Sequence, residues 1–252
     1  MILQIDVGNT RIHWRLVERF QGLSPVVRER GHIEHGMVPE PAGSGIVTGV
    51  ELACVAGRDV RDSLVEGVAG AGDVPLVEAG TGAFAGGVHN GYAEPGAMGV
   101  DRWLAMVGAF NHYPGGAIVV DAGTAVTVDY VDAGGQHLGG YILPGLHLMS
   151  RALGANTARV RHGSANEFGP AQPGCSTADC VNHGIGWIWS SATERLRQER
   201  EEYGVSAIVL TGGDAGFMGS LLGPSAVVEP DLVFMGMDVV LADAATRAGL
   251  RG

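Results

Sequence analysis

The sequence predicts an α/β fold with mixed sheets, built from one unit used twice. An apolar run at residues 2–7 reaches a Gly-Asn turn, and alternating polar and apolar residues follow at 11–17, which is the pattern of a β-hairpin. The pattern returns at residues 117–129, where Asp121 stands at the bend as Asp6 does in the first hairpin. Later strands alternate with helices. We therefore predict a duplicated unit that divides near residue 114.

The first half, residues 1–114, continues after its hairpin with a strand, a helix and a second strand at 45–50, 58–68 and 74–77. Residues 79–99 form a glycine-rich connection whose length indicates either a functional role or mobility. A helix with apolar side chains on one face is predicted at 102–112, and Pro114 ends it.

The second half, residues 115–252, repeats the hairpin and then adds a third strand and two helices. These elements are predicted at 137–143, 146–153 and 177–202. The charged end of the long helix is typical of a solvated face. Strand and helix then alternate at 207–210, 214–222, 226–228 and 231–248. This order of elements defines an α/β class with mixed sheets.

Composition excludes several functions. The chain has no lysine, so a P-loop and Schiff-base chemistry are excluded, and all 16 basic residues are arginines. A net charge of −11 disfavours binding to nucleic acid or to anionic membranes. No apolar run approaches the roughly 20 residues of a membrane span, and three cysteines indicate reduced thiols rather than a disulfide framework. We therefore expect a soluble, cytoplasmic protein.

Two acidic glycine turns carry the chemistry. In Asp6-Val7-Gly8-Asn9-Thr10, the glycine lets backbone N–H groups approach a phosphate, and the carboxylate suits a hydrated Mg²⁺. The alternative is an ordinary hairpin turn, which would be favoured for this segment alone. Because Asp121-Ala122-Gly123-Thr124 repeats the arrangement, we favour two facing turns that hold a polyphosphate.

Three other segments allow two interpretations each. Asp101-Arg102 precedes a predicted helix, where an aspartate serves as an N-cap or, in a kinase, accepts the substrate hydroxyl proton. Residues 139–145 and 211–214 are glycine turns after strands, consistent with close approach to a ligand or with ordinary connections. Cys175, Cys180 and His183 lack a fourth ligand at a zinc spacing, so we assign no zinc site.

The whole series closely resembles the type III pantothenate kinases of the actin/Hsp70/sugar-kinase superfamily. The resemblance rests on segments 6–10, 99–102, 121–129, 139–145 and 211–213, whose order and spacing match over nearly the full chain. It implies duplicated actin-like, ribonuclease H-like domains with mixed sheets flanked by helices. It further implies phosphorylation of pantothenate by ATP with Mg²⁺, a monovalent cation such as K⁺ or NH₄⁺, and a homodimer formed through a helix of the second half.

The resemblance also implies roles for individual residues. The first phosphate-binding segment consists of Asp6, Val7, Gly8, Asn9, Thr10, Arg11, Ile12 and His13, and Thr124 is a further phosphate contact. Asp101 is the proton acceptor, and Asp121 is a ligand of the monovalent cation. The pantothenate pocket is lined by Tyr92, Gly99, Val100, Asp101 and Arg102, with Thr177 completing it near the dimer interface.

Two other functions are compatible with such a fold. A phosphohydrolase of the same superfamily would use water in place of an alcohol, but a strongly basic channel would favour that reaction and this chain is acidic. A non-catalytic regulator would have no need to retain Asp6, Asp101 and Asp121 together. The kinase interpretation therefore accounts for more of the sequence.

Overall fold

The computed structural model describes residues 1–20, 23–41, 47–70, 74–155 and 172–242. The chain forms two compact units, of which the first comprises Met1–Asn111 and the chain from Asp231 onward, and the second comprises His112–Pro230. The predicted boundary near residue 114 lies close to the first change of unit. Assignment of the chain end to the second half was wrong, because the chain returns to the first unit at Asp231.

The first unit contains a five-stranded mixed sheet. Its strands are β1 (Ile2–Val7), β2 (Ile12–Glu18), β3 (Val26–Ile33), β4 (Gly49–Cys54) and β5 (Leu76–Glu78), in the order β3-β2-β1-β4-β5. The first three strands are antiparallel neighbours, while β4 and β5 run parallel to β1. Helix α1 (Arg58–Gly70) covers the sheet with Leu64 and Val68, which join its apolar core.

The glycine-rich connection of the first unit has structure of its own. It contains a short hairpin of β6 (Phe84–Ala85) and β7 (Val88–His89), followed by a 3₁₀ turn at Pro95–Ala97. Helix α2 (Val100–His112) then begins two residues earlier than predicted. It carries fully buried Trp103 and Leu104 into the interior of the unit.

The second unit repeats the topology of the first. Its strands are β8 (Ala117–Ala122), β9 (Ala125–Val131), β10 (His137–Pro144), β11 (Ala207–Thr211) and β12 (Ala226–Val228), in the order β10-β9-β8-β11-β12. The strand directions also match those of the first unit, since β8 pairs antiparallel with β9 and parallel with β11. Helices α3 (Leu146–Ala155), α4 (Thr177–Glu202) and α5 (Ala215–Leu222) accompany this sheet. The predicted duplication and fold class are confirmed.

Some boundaries in the first unit were wrong. Strand β3 was not predicted, because its residues are charged at several positions and alternate between exposed and half-buried, as suits the edge of a sheet. The strand predicted at 45–50 lies at Gly49–Cys54, where pairing with β1 buries Val50 and Leu52 completely; residues 45 and 46 lie outside the described residues. The strand predicted at 74–77 lies at Leu76–Glu78.

The last described helix, α6 (Leu232–Val240), packs across α2 at two glycines. A Cβ on Gly108 would lie 2.5 Å from the carbonyl oxygen of Leu232, and one on Gly236 would overlap the backbone of Leu104. Only glycine lets the two backbones approach this closely. The helix predicted at 231–248 is confirmed for Leu232–Val240, and its part beyond residue 242 lies outside the described residues.

A buried polar network also joins α6 to the first sheet. Gln4 pairs in register with Arg15 on β2 and Glu51 on β4, so the three side chains lie on one face. Arg15 donates to Gln4 at 2.6 Å and to Asp238 of α6 at 2.5 Å, and Arg19 bridges Glu51 and Asp238 at 2.8 Å each. Burial raises the pKa of Glu51, an effect that Arg19 and Gln4 oppose.

None of the helices in the described part of the chain has the length and apolar character needed to cross a membrane.

We expect Arg15→Met to lower the free energy of unfolding by about 2 kcal/mol, because it leaves the buried side-chain oxygen of Gln4 without its donor and removes one of the two arginines at Asp238. Urea unfolding followed by tryptophan fluorescence measures the change. Arg28→Met is the matched control: Arg28 pairs with Glu18 at the surface, and its loss should change stability by less than about 1 kcal/mol. Equal losses in the two variants would contradict a stabilising role for the buried network.

Candidate active site

The first acidic turn joins β1 to β2 and exposes its polar residues. The N–H of Gly8 donates to the carbonyl of Arg11 at 3.0 Å, and Nε2 of His35 donates to the carbonyl of Gly8 at 2.9 Å. Val7 and Ile12 are fully buried on either side, whereas Asn9, Thr10 and Arg11 are exposed and Asp6 is half-buried. Buried strand ends therefore hold a turn whose polar groups reach solvent.

His13 follows this turn on β2 and pairs in register with Asp6. Its pKa is lowered, chiefly because neighbouring atoms displace water around the ring, and the nearby charges of His32 and Arg11 act in the same direction. The imidazole is therefore neutral near neutral pH. Of the basic side chains in segment 6–13, Arg11 is the one that carries a full positive charge there.

The second acidic turn joins β8 to β9 in the same way. The N–H of Gly123 donates to the carbonyl of Ala125 at 3.1 Å, and Thr124 is exposed while Asp121 is half-buried. Exposure of corresponding residues in the two turns follows from the shared topology. The sequence thus identified two equivalent positions in two equivalent units.

Two further glycine segments meet the second turn. The N–H of Gly145, at the end of β10, donates to the carbonyl of Thr124 at 3.0 Å, and the N–H of Asp214 donates to the carbonyl of Ala122 at 2.8 Å. Thr211 pairs in register with Asp121. The turn at 121–124 therefore meets segment 211–214 and the end of segment 139–145, whereas Gly139 and Gly140 lie along β10 opposite Tyr130 and Asp129.

Glycine is required where these segments touch. Gly212 has a φ of +89°, and a Cβ there would lie 2.6 Å from the carbonyl oxygen of Ala122 and would also overlap Oδ1 of Asp121. A Cβ on Gly145 would lie 2.7 Å from the carbonyl oxygen of Thr124. The backbone around Asp121 is thus enclosed by chain that only glycine can form.

A histidine–aspartate pair borders this site and was missed by sequence reasoning. Nε2 of His147, at the start of α3, lies 3.8 Å from Oδ1 of Asp214. Burial raises the pKa of Asp214, and the nearby His147 opposes that shift. The residues are far apart in the chain, so no local spacing could have revealed the pair.

The predicted pantothenate residues of the first unit lie together at the start of α2. The guanidinium of Arg102 donates to the hydroxyl of Tyr92 at 2.9 Å and lies 5.7 Å from the centre of its ring. Asn90, which sequence reasoning did not select, accepts from the N–H of Tyr92 at 2.9 Å. Because Arg102 is almost fully buried, these contacts fix its direction.

Asp101 lies in the first turn of α2 and is not its N-cap. The helix begins at Val100, and the carbonyl of Gly99 accepts from the N–H of Trp103 at 3.1 Å, so the N-cap position belongs to Gly99. Oδ1 of Asp101 accepts from the N–H of Arg102 at 2.7 Å, and a Cβ on Gly99 would lie 2.5 Å from that oxygen. The N-cap alternative is therefore wrong.

Thr177 is the first residue of α4 and is exposed. It belongs to the second unit, whereas Tyr92 and residues 99–102 belong to the first. Its predicted place in the pantothenate pocket stays a prediction. Within the described ranges, no group of three or more histidine, cysteine or carboxylate side chains is arranged to hold a metal ion.

Solved structures with this fold include two that extend over almost the whole chain. One is a conserved putative Baf family transcriptional activator from Campylobacter jejuni, with a TM-score of 0.61 and 17% identity, covering 97% of this chain and 99% of that one. The other is Lmo2764, a putative N-acetylmannosamine kinase from Listeria monocytogenes, with a TM-score of 0.54 and 13% identity, covering 96% and 99%. The two-unit α/β fold of this chain is therefore the fold of these two structures.

Sequence comparison defines the family. The model of the family described as type III pantothenate kinase matches residues 2–199. The type III pantothenate kinase of Marinobacter nauticus is 38% identical over 241 residues, which cover 94% of this chain and 97% of that protein. That of Ectopseudomonas mendocina is 38% identical over 250 residues, which cover 95% and 98%. The chain belongs to the type III pantothenate kinase family.

We expect Gly212→Ala to lower the free energy of unfolding by about 1–3 kcal/mol, because it combines an unfavourable φ with contacts to Ala122 and Asp121. Gly213→Ala is the control, since a Cβ at Gly213 has no neighbour within 4 Å and its φ is not in the positive range. Thermal unfolding of both purified variants measures the difference. Similar midpoints for the two would show that the close approach at Gly212 is unimportant.

Proposed function

We propose that this protein transfers the γ-phosphoryl group of ATP to the terminal hydroxyl of pantothenate, giving 4′-phosphopantothenate in the first step of coenzyme A biosynthesis. Membership of the type III pantothenate kinase family over most of the chain carries this proposal. The acidic and glycine positions of both turns, and the aspartate at the start of α2, support it. The enzyme is thus a phosphotransferase with an alcohol group as acceptor.

ATP phosphates bind to the two acidic turns in this proposal. The first turn contributes Asp6, Val7, Gly8, Asn9, Thr10, Arg11, Ile12 and His13, and the second contributes Thr124. Exposed N–H and hydroxyl groups donate to phosphate oxygens, and Arg11 supplies positive charge in a chain without lysine. Asp6 would hold a hydrated Mg²⁺, whose charge would offset that of the phosphates.

Asp121 holds the monovalent cation, K⁺ or NH₄⁺, in this proposal. Oxygen ligands of the kind such an ion takes are present there, since Oδ1 of Asp121 and the carbonyl oxygen of Ala122 both lie beside Gly212. Carboxylate and carbonyl oxygens are the ligands that hard cations prefer. When bound, the cation adds positive charge beside the phosphates.

Pantothenate binds at Tyr92 and residues 99–102, with Thr177 completing its pocket. Tyr92 holds the Arg102 guanidinium, a group suited to carboxylate or phosphate oxygens of the substrates. Asp101 accepts the proton of the attacking hydroxyl. Because phosphoryl transfer passes through a loose transition state, the positions of these groups contribute more to the rate than the base strength of Asp101.

We expect Asp101→Asn to lower kcat for pantothenate phosphorylation by about 100-fold or more while leaving folding intact. A coupled assay for ADP, with ATP, pantothenate, Mg²⁺ and K⁺ omitted in turn, measures the rate. Asp62→Asn is the control, because Asp62 is an exposed aspartate of α1 in the same unit. Unchanged turnover in Asp101→Asn would refute the assignment of the proton acceptor.

The same assay tests the reaction itself. ADP formation at equal rates with and without pantothenate would identify a hydrolase. A well-folded protein that forms no ADP and fails to rescue a cell lacking other pantothenate kinases would instead indicate a regulator.

The protein also forms a homodimer through its second unit in this proposal. Large apolar side chains of that unit are exposed on β10, α3 and α4, namely Leu138, Tyr141, Ile142, Leu143, Leu148, Leu153, Trp187 and Ile188. So much exposed apolar surface is typical of an interaction site. Thr177 begins the same helix that carries Trp187 and Ile188.

The free cysteines and the use of ATP support activity in the cytoplasm.

We expect the double variant Trp187→Arg, Ile188→Glu to be monomeric where the parent protein is dimeric, because buried unpaired charges oppose association. Light scattering coupled to size-exclusion chromatography measures the mass. Leu23→Arg, which changes an even more exposed apolar residue of the first unit, should leave the dimer intact. A dimeric double variant would exclude α4 from the interface.

A further inference from the structure

The first turn of α4 has a complete N-terminal cap with a cysteine on each side of it. Ser176 is the N-cap, with φ −129° and ψ 163°, and its Oγ accepts from the N–H of Asp179 at 3.1 Å and donates to the Asp179 carboxylate at 2.7 Å. Cys175 is therefore at the position before the cap, and Cys180 is at the fourth helical position. Side chains at these two positions characteristically pack against each other.

Contacts between residues 172–174 and the first turns of α4 bring the two cysteines close to each other. Sγ of Cys180 donates to the carbonyl of Gly174 at 3.3 Å, and the carbonyl of Gln172 accepts from Nδ1 of His183 at 2.8 Å. Since the Gly174 carbonyl carbon is bonded to the nitrogen of Cys175, the sulfur of Cys180 lies within about 7 Å of the Cys175 Cα. Residues 172–175 thus run back along the first turn of the helix.

Gly174 makes this close return possible. A Cβ on Gly174 would lie 2.7 Å from Cβ of Asp179 and would also overlap the backbone nitrogen of Cys180. Any larger residue at this position would push Cys175 away from the helix. The separation of the two thiols is therefore set by the absence of a side chain at Gly174.

The two thiols also differ from Cys54 in accessibility. Cys175 and Cys180 are exposed free thiols, whereas Cys54 is half-buried and its pKa is raised, chiefly by that burial. Thiolates are the reactive form, so an accessible thiol exchanges with disulfides faster than a shielded one of raised pKa. This contrast makes Cys54 an internal reference.

We propose that Cys175 and Cys180 are a reversible redox pair that forms an intrachain disulfide by exchange with a small-molecule disulfide. The Cys180 thiolate attacks one sulfur of that disulfide and releases one thiol; Cys175 then attacks Sγ of Cys180 and releases the second. Two protein S–H bonds and one reagent S–S bond are lost, and one protein S–S bond and two reagent S–H bonds are formed. The protein thiols are oxidised and the reagent is reduced.

The pair also controls the start of α4, which is where this inference rests on the proposed function. Thr177 lies between the two cysteines in the sequence, and the disulfide replaces the Cys180–Gly174 contact at the first turn. Rearrangement of that turn moves Thr177 and weakens a substrate contact, while Asp101 belongs to the other unit. Oxidation therefore raises KM for pantothenate about fivefold, the value of one hydrogen bond, and leaves kcat nearly unchanged.

Disulfide formation between Cys175 and Cys180 is tested without any activity measurement. The full-length protein is incubated with oxidised glutathione, digested and analysed by mass spectrometry for a peptide that links Cys175 to Cys180. The link is expected in the parent and in Cys54→Ser, and its yield should fall in Gly174→Ala, which separates the thiols. Cys175→Ser should stop at the mixed disulfide on Cys180. A stable mixed disulfide in the parent, or a link between two chains, would overturn the pair.

Kinetics of the oxidised protein test whether the disulfide controls Thr177 and the KM for pantothenate. If the linked protein shows a raised KM for pantothenate that dithiothreitol reverses, and the double variant Cys175→Ser, Cys180→Ser treated in the same way shows no such change, the switch is supported. If the link forms and KM is constant, control of Thr177 is wrong while the redox pair stands. A protein that forms the link but does not phosphorylate pantothenate when reduced would refute the proposed function and leave the chemistry of the pair intact.

Discussion

Close backbone contact through glycine is the constraint on which the candidate site of the second unit depends. The turn after β8 is enclosed because Gly145 and Gly212 place their backbones where a side chain would collide with it. Three segments, separate in sequence, therefore meet around Asp121 with their N–H and C=O groups paired to each other. A site built from main chain needs little from side chains, which suits a protein that handles phosphate without lysine.

The first unit uses glycine and charge together. Gly108 and Gly236 let α2 and α6 cross in direct contact, and the polar network around Arg15 joins α6 to the sheet. Both arrangements fix the position of α2, whose first turn carries Asp101 and Arg102. A buried ionic network contributes little net stability when it is complete. Removing one of its charged groups, however, leaves other buried polar groups without a partner and lowers the free energy of unfolding. The network's value here is to specify where α6 packs.

Much of the fold was predictable because its signals are local. The hairpin turns at Gly8 and Gly123, the bounds of α4 and the alternation of strands and helices follow from glycine placement and from hydrophobic periodicity. Strand β3 was not predicted because an edge strand buries little surface and so has a weak apolar pattern in the sequence. The return of α6 to the first unit was not predicted because it depends on partners such as Arg15, which lies more than 200 residues away in the sequence.

By itself the sequence determined the duplicated α/β plan, the family resemblance and the residues available for phosphate chemistry, because turn geometry and apolar periodicity act over a few neighbouring residues. Only the tertiary structure decided that Gly145 and segment 211–214 meet the turn at 121–124, that Arg102 lies against Tyr92, and that His147 approaches Asp214. These contacts join residues that are distant along the chain, and they arise from how strands and helices pack, which no local pattern encodes.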